Sequence, residues 1–440
     1  LGGLAGWVHG NGKLINCVNE GKIILGTTSK FGYVGGVAGV IFSSSGNGLV
    51  QDCVNAGTVT STANTTNGLG GVVGIQESGK TVNCVNKGML KADVMRYSGT
   101  VGGIVGLVYN NTAAETYVNQ CENDGTISVN TNDFRAVGGI VGGIDVDNKY
   151  ALVEIADCEN KENISIVTSN AAASSGLDGF YLGGILGSFN ASNDSAVKNT
   201  VRKCVNSGNL SLKTSGSNNS VKVGGICGNT RGPVVIEDNE NAAQSVVMES
   251  SNAAKLLCSV GGIVGEAGDP WDNTESTILT LDGNINRASV LSKTNNVETP
   301  AGGLVGYAFA PVSSTGNVNF GNIERAVTDN CTLTKYDACF SGGLIGIVRM
   351  STASENRYDL VFEADKTFGT VKSVGRAAMI LGGMRSDSYA SRIKMHNCII
   401  GGRLESAHSG YALDMNDSNW DDKNGLLDGS YLWSYIPAKH

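Results

Sequence analysis

The sequence predicts an all-β chain wound as an elongated parallel β-solenoid, or β-helix, of about eleven coils with a C-terminal cap. Three observations carry that prediction: a glycine block that recurs from one end to the other, a cysteine and asparagine block in step with it, and a hydrophobic pattern that never follows a helical period.

The glycine block is clearest at residues 101–106, Val-Gly-Gly-Ile-Val-Gly. A pair of glycines followed by an aliphatic residue or Met begins at Gly2, Gly35, Gly70, Gly102, Gly138, Gly183, Gly224, Gly261, Gly302, Gly342 and Gly382, at spacings of 32 to 45 residues. The residue before the pair is aliphatic in most copies, as at Val34, Leu69, Val137, Leu182, Val223 and Val260. β-Branched residues dominate, which indicates a strand. Strict alternation puts Val101 and Val105 on one face of it and Ile104 on the other, so both faces are apolar. Either the flanking loops fold back over one face, with the glycines leaving room for close approach, or an aliphatic strip is left bare for docking.

The second block reads Cys-x-Asn-x-Gly, with an aliphatic residue three before the Cys at Leu14, Val50, Val118, Ile155 and Val201. Cys17, Cys53, Cys84, Cys121, Cys158 and Cys204 share the first position; from the seventh copy it passes to Asn239, Asn284 and Asn322. The Asn recurs as Asn19, Asn55, Asn86, Asn123, Asn160, Asn206, Asn241 and Asn286, which in a stack forms an amide ladder. A polar residue at the Cys position must extend a ladder or lie less deeply buried. The Asn and Gly of the block are expected where the chain bends, because both tolerate positive φ. Pairs such as Ile127/Val129, Ile164/Ile166 and Leu210/Leu212 then alternate with polar residues as a half-buried strand does. The unit reads strand, loop, strand, turn, strand, loop.

A lone copy has too little apolar surface to offset its ordering entropy, whereas stacked copies pair every strand and bury one aliphatic column. Residues 1–404 are therefore expected to be repeats. After Gly382 the pattern degrades, and Trp420, Tyr431, Trp433 and Tyr435 gather with Asp417, Asp421, Asp422 and Asp428, so residues 405–440 read as a capping segment over the last open face.

Composition narrows the use of such a body. Hydrophobic residues are 41%, aromatics 6% and glycines 62, which makes the core small and aliphatic. The net charge is −8 and the 32 basic residues are scattered, against nucleic acid as a partner. No apolar run reaches the roughly 18 residues of a membrane span. The chain opens inside a repeat unit, which reads as an excised or processed piece. The six columnar cysteines would stack about 4.8 Å apart with side chains pointing the same way. That arrangement disfavours the disulfide torsion, so they read as reduced, buried small hydrophobes.

The tetrads Gly-Leu-Ala-Gly at 3–6, Gly-Val-Ala-Gly at 36–39, Gly-Ile-Val-Gly at 103–106, Gly-Leu-Val-Gly at 303–306 and Gly-Leu-Ile-Gly at 343–346 resemble the GLUG motif repeat. That repeat occurs in large secreted and surface-anchored bacterial proteins, including adhesin-like chains and the non-catalytic region of some immunoglobulin A peptidases. The resemblance covers residues 1–402. It implies a β-solenoid and an extracellular or bacterial cell-surface setting, and assigns no ligand and no catalytic residue.

Candidate chemistry is sparse. His9, His396, His408 and His440 have no metal or nucleophile partner at a recognised spacing, and the acid pairs Asp145/Asp147, Asp269/Asp272 and Asp421/Asp422 neither repeat nor fit a known calcium loop. No catalytic, metal or cofactor-binding residue is assigned, and no cofactor is expected. Trp271 and the pair Phe180/Tyr181 are the aromatics suited to stacking on sugar rings. The expected function is a non-enzymatic extracellular scaffold or adhesion module of a bacterial surface protein that binds a host protein or glycan along a repetitive face. The alternatives are a polysaccharide lyase or glycosidase on a parallel β-helix, and the spacer region of a larger secreted peptidase.

Overall fold

The computed structural model describes residues 1–26, 32–43, 46–95, 98–130, 134–168, 179–191, 197–215, 220–251, 258–268, 278–295, 299–327, 339–349, 359–383, 392–406, 411–413, 426–428 and 431–432. It is all-β, and each strand pairs in parallel with its equivalents one coil before and one coil after. Within the described residues no helix is long and apolar enough to cross a membrane.

The fourth coil shows the unit. Its strands are Thr100–Gly102, Val105–Asn110, Thr116–Asn119, Glu122–Asn123 and Ile127–Val129. The pairings Val101 to Val137, Val105 to Val141, Val118 to Ile155, Asn123 to Asn160 and Ile127 to Ile164 join it to the next coil, so equivalent sequence positions meet along the whole stack. Inward side chains from all columns merge into one core that runs from Val8 to Ile400. In the segment read from sequence as a cap, Tyr411–Leu413, Leu426–Asp428 and Tyr431–Leu432 continue three of the columns as parallel strands. The strand Leu404–Ser406 spans the boundary placed at 404.

The glycine block is two short strands, not one, which corrects the alternation argument. The chain bends at Gly103 and Ile104, where the N–H groups of Ile104 and Val105 both donate to the Ile140 carbonyl of the next coil at 2.9 and 3.0 Å. The bend resets the period of two, and Val101, Ile104 and Val105 all enter the same core. The two arms then pack on each other through their glycines. A Cβ on Gly102 would lie 1.9 Å from the Val105 carbonyl, and one on Gly106 would lie 2.6 Å from the Leu69 N–H of the preceding coil. A Cβ on Gly103 would meet the Gly139 carbonyl at 1.9 Å and Asn123 Cγ at 2.5 Å. The glycine block and the Asn block are thus interlocked: the second glycine makes room for the ladder.

That ladder is continuous. Each Asn Nδ2 donates to Oδ1 of the next, from Asn19 through Asn55, Asn86, Asn123, Asn160, Asn206, Asn241 and Asn286 to Asn319, at 2.7 to 3.0 Å. It ends on Thr367 Oγ1 at 3.3 Å. The Cys position passes to Asn239, Asn284 and Asn317, then to Asp365 and Cys398. Asn317, not Asn322, is the structural equivalent, because Val318 and Asn319 pair with Ile285 and Asn286. These residues are buried and build a second ladder, with Asn239 donating to Asn284 at 3.0 Å and Asn284 to Asn317 at 2.9 Å.

Two further expectations are corrected. Positive φ falls on the residue before the Cys position, at Asn16, Asp52, Asn83, Gln120, Asp157, Lys203, Asp238, Gly283, Gly316, Ala364 and Asn397; at the Asn and Gly positions of the block it occurs among the described residues at Gly402 alone. The block glycine is needed for close approach, since a Cβ on Gly57 would lie 2.0 Å from the Gly21 carbonyl of the coil before. In the eleventh copy Gly342 pairs with Ala378, so Gly382 occupies the third-glycine position, equivalent to Gly346, and not the first of the pair. That copy runs as the continuous strand Arg376–Leu381, with Ala377, Ile380 and Leu381 still entering the core.

Candidate functional site

The sequence-selected aromatics do not form one surface. Trp271 lies outside the described residues. Phe180 and Tyr181 are each only 4% exposed, so neither offers a ring face to a sugar. Phe180 joins the core and stacks on Phe134 with ring centroids 4.3 Å apart. Tyr181 points the other way, between the arms, where its hydroxyl accepts from Arg231 Nη2 at 3.3 Å and its ring lies 5.7 Å from Lys222 Nζ.

The remaining candidates are also tied into local contacts. Asp145 pairs with Arg135 at 2.9 Å, and Asp147 accepts from the Tyr109 hydroxyl at 2.8 Å. His9 stacks on Phe42 at 5.3 Å, while His408 and His440 and the acid pairs Asp269/Asp272 and Asp421/Asp422 lie outside the described residues. Among the described residues no group of three or more His, Cys, Asp or Glu is placed to hold a metal ion. Among the described residues ten cysteines are free thiols; Cys17 is half-buried and Cys53, Cys84, Cys121, Cys158 and Cys204 are buried. Burial pushes the Cys121, Cys158 and Cys204 thiols up, because a thiolate would lose its hydration.

Two polar or aromatic constellations stand out instead. The first is internal. Between the arms, Lys222 Nζ meets Glu266 at 3.0 Å with both side chains fully buried, and Asn229 Nδ2 donates to Glu266 at 3.1 Å. Burial by itself would lower the Lys222 ammonium; attraction to Glu266 and Tyr181 outweighs it and holds the group above its ordinary value. An ammonium held protonated and so enclosed is a poor nucleophile.

The second constellation faces solvent. The residue after each ladder position points outward, and in three successive coils it is Arg287, Phe320 and Phe368. Phe320 and Phe368 are 45% and 39% exposed and stack at 5.5 Å, while the Arg287 guanidinium covers the other face of Phe320 at 5.1 Å. Glu240 holds Arg287 through Nε at 2.5 Å, and half-buried Ile285 and Val318 flank the strip. In earlier coils the same face is charged, with Lys161 bridging Glu122, Asp124 and Glu159. The sequence reading missed this strip although a signal existed: both phenylalanines follow a ladder position directly.

Comparison of the chain with family models, with curated proteins and with solved structures found no match.

Proposed function

We propose that this chain is a non-enzymatic scaffold or adhesion module of a bacterial surface protein, working outside the cell and binding a host protein or glycan along one face of the stack. The observation that carries the reading is the Arg287, Phe320 and Phe368 strip, an exposed aromatic and cationic surface displayed at successive coils. Ring edges with an adjoining guanidinium and aliphatic flanks suit a partner with both apolar and polar contacts. Stacked repeats characteristically bind over extended surfaces, because each coil adds one increment to the same face. The extracellular setting rests on the resemblance to GLUG repeats.

The test is a glycan array together with immobilised host matrix proteins, probed with the whole chain, alongside turnover screening on polysaccharides. Saturable binding that weakens in a Phe320→Ser/Phe368→Ser double variant is expected. Reproducible cleavage of any polysaccharide would overturn the reading.

A further inference from the structure

A stack of near-identical coils faces a problem that an ordinary core does not. The core positions are interchangeable: Val34, Leu69, Val101, Val137, Leu182, Val223 and Val260 occupy one column, and the Asn ladder offers the same amide at almost every step. Nothing in those columns tells a coil which neighbour is its own. A coil that stacked on the wrong one, within a chain or between two chains, would keep its backbone pairing and most of its apolar contacts.

The layer between the arms is different, because its residues are unlike from coil to coil. A position on the first arm faces a position on the second arm of the next coil. Gly68 lies under Leu107, whose Cβ would be 3.4 Å from a Cβ added there, and Thr100 Cγ2 fills the space a Cβ on Gly143 would need, at 2.9 Å. Three coils further on, the same relation brings Lys222 to Glu266 at 3.0 Å. In the other coils from the fourth to the tenth the second-arm position is Leu107, Gly143, Ser188, Asn229, Tyr307 or Ile347, and in the first three it is apolar, so none is acidic. Any of these in place of Glu266 would deprive the fully buried ammonium of this carboxylate, at a cost far above that of a lost core contact.

The geometry points to the layer between the arms, and above all the Lys222 and Glu266 pair, as the device that specifies which coil stacks on which. Its role is selection against wrong partners, and it contributes little net stability, since a buried ion pair roughly balances its own desolvation. Polar groups buried at one position of a repeating interface serve this purpose in coiled coils by fixing register.

The experiment compares the whole chain with Lys222→Met/Glu266→Met, with Lys222→Met alone and with the reversed pair Lys222→Glu/Glu266→Lys. Each is refolded from denaturant over a hundredfold range of protein concentration and sized by chromatography with light scattering. The double Met variant should keep its thermal midpoint within a few degrees of the parent while its monomer yield falls several-fold at high concentration, as wrongly stacked chains trap one another. The reversed pair should restore the yield, and Lys222→Met alone should lose both stability and yield. A double Met variant that refolds with parental yield at every concentration overturns the inference. So does one that fails to fold even when dilute, because the pair would then be a stability element, and so does a reversed pair that behaves like the double Met variant.

Discussion

The Asp365 carboxylate accepts hydrogen bonds from both the backbone N–H and the side-chain amide of Asn317, at 2.8 and 3.1 Å, across one full coil. It stands where seven other coils carry a cysteine and three an asparagine, so a carboxylate closes the ladder of amides.

A pH dependence follows. Burial pushes the Asp365 carboxyl up to about 6, against the counteracting hydrogen bonds from Asn317 and Ser314. A carboxyl raised in the folded state binds its proton more tightly folded than unfolded. Its contribution is therefore fully present below the ordinary value of 3.8 and is lost as pH rises through about 6. Asp365→Asn should leave stability unchanged near pH 4 and raise it at pH 7 to 8 by on the order of 3 kcal/mol. Thermal unfolding of parent and variant across that range checks it; a constant difference in midpoint would refute it.

The amide ladder should be costly to break in the middle and cheaper at its end. Asn123→Ala removes the acceptor of Asn86 Nδ2 and the donor to Asn160 Oδ1, both buried, at about 2 to 4 kcal/mol. Asn319→Ala removes the acceptor of Asn286 but only a 3.3 Å bond to Thr367, whose hydroxyl also reaches the Gly343 carbonyl at 3.4 Å. Chemical denaturation of the two variants should show Asn319→Ala losing about half as much.

Two glycines at the same motif position should respond oppositely to a methyl group. In Gly57→Ala the new Cβ would meet the Gly21 carbonyl at 2.0 Å, and only movement of a coil relieves it. In Gly21→Ala of this chain the nearest atom is Asn19 Oδ1 at 3.4 Å, an ordinary contact. The first variant should lose several kcal/mol or fail to accumulate; the second should stay within roughly 1 kcal/mol of the parent. Thermal melts of both would decide.

The thiol column should react in order of burial. Cys17, half-buried, should be labelled by a maleimide in the native protein, whereas Cys121, Cys158 and Cys204 should be labelled only after denaturation. Peptide mapping by mass spectrometry after timed labelling gives the order. Equal rates at Cys17 and Cys121 would contradict the stack.

Much of the fold was legible because the same residue type returned at the same place. Asn in an otherwise apolar strand is costly unless something pairs with it, and recurrence supplied the partner, so the ladder could be read before any coordinates. The arms could not. Counting by twos assumes a straight strand, and the bend at Gly103 and Ile104 breaks the count where the glycines permit it. The left-handed column was hidden for another reason: Asn16, Gln120, Lys203 and Ala364 share a backbone conformation and no side-chain chemistry. In the ninth coil several asparagines lie close together, and spacing alone chose Asn322 where pairing chooses Asn317. In sequence Tyr181 reads as an aromatic suited to stacking on a sugar ring; only the packing of the arms shows that it turns inward beside Lys222.

The parallel ladders run along the long axis, so every hydrogen bond between successive coils points from one end of the molecule toward the other. A pull on the two ends loads the bonds of one coil junction together, as rivets in a single seam, and the weakest junction gives first. The coils beyond it stay intact, and each release pays out roughly 3.3 to 3.6 Å of chain per residue. A stack built this way would lengthen in steps under load, yielding like a ripping tether in place of snapping.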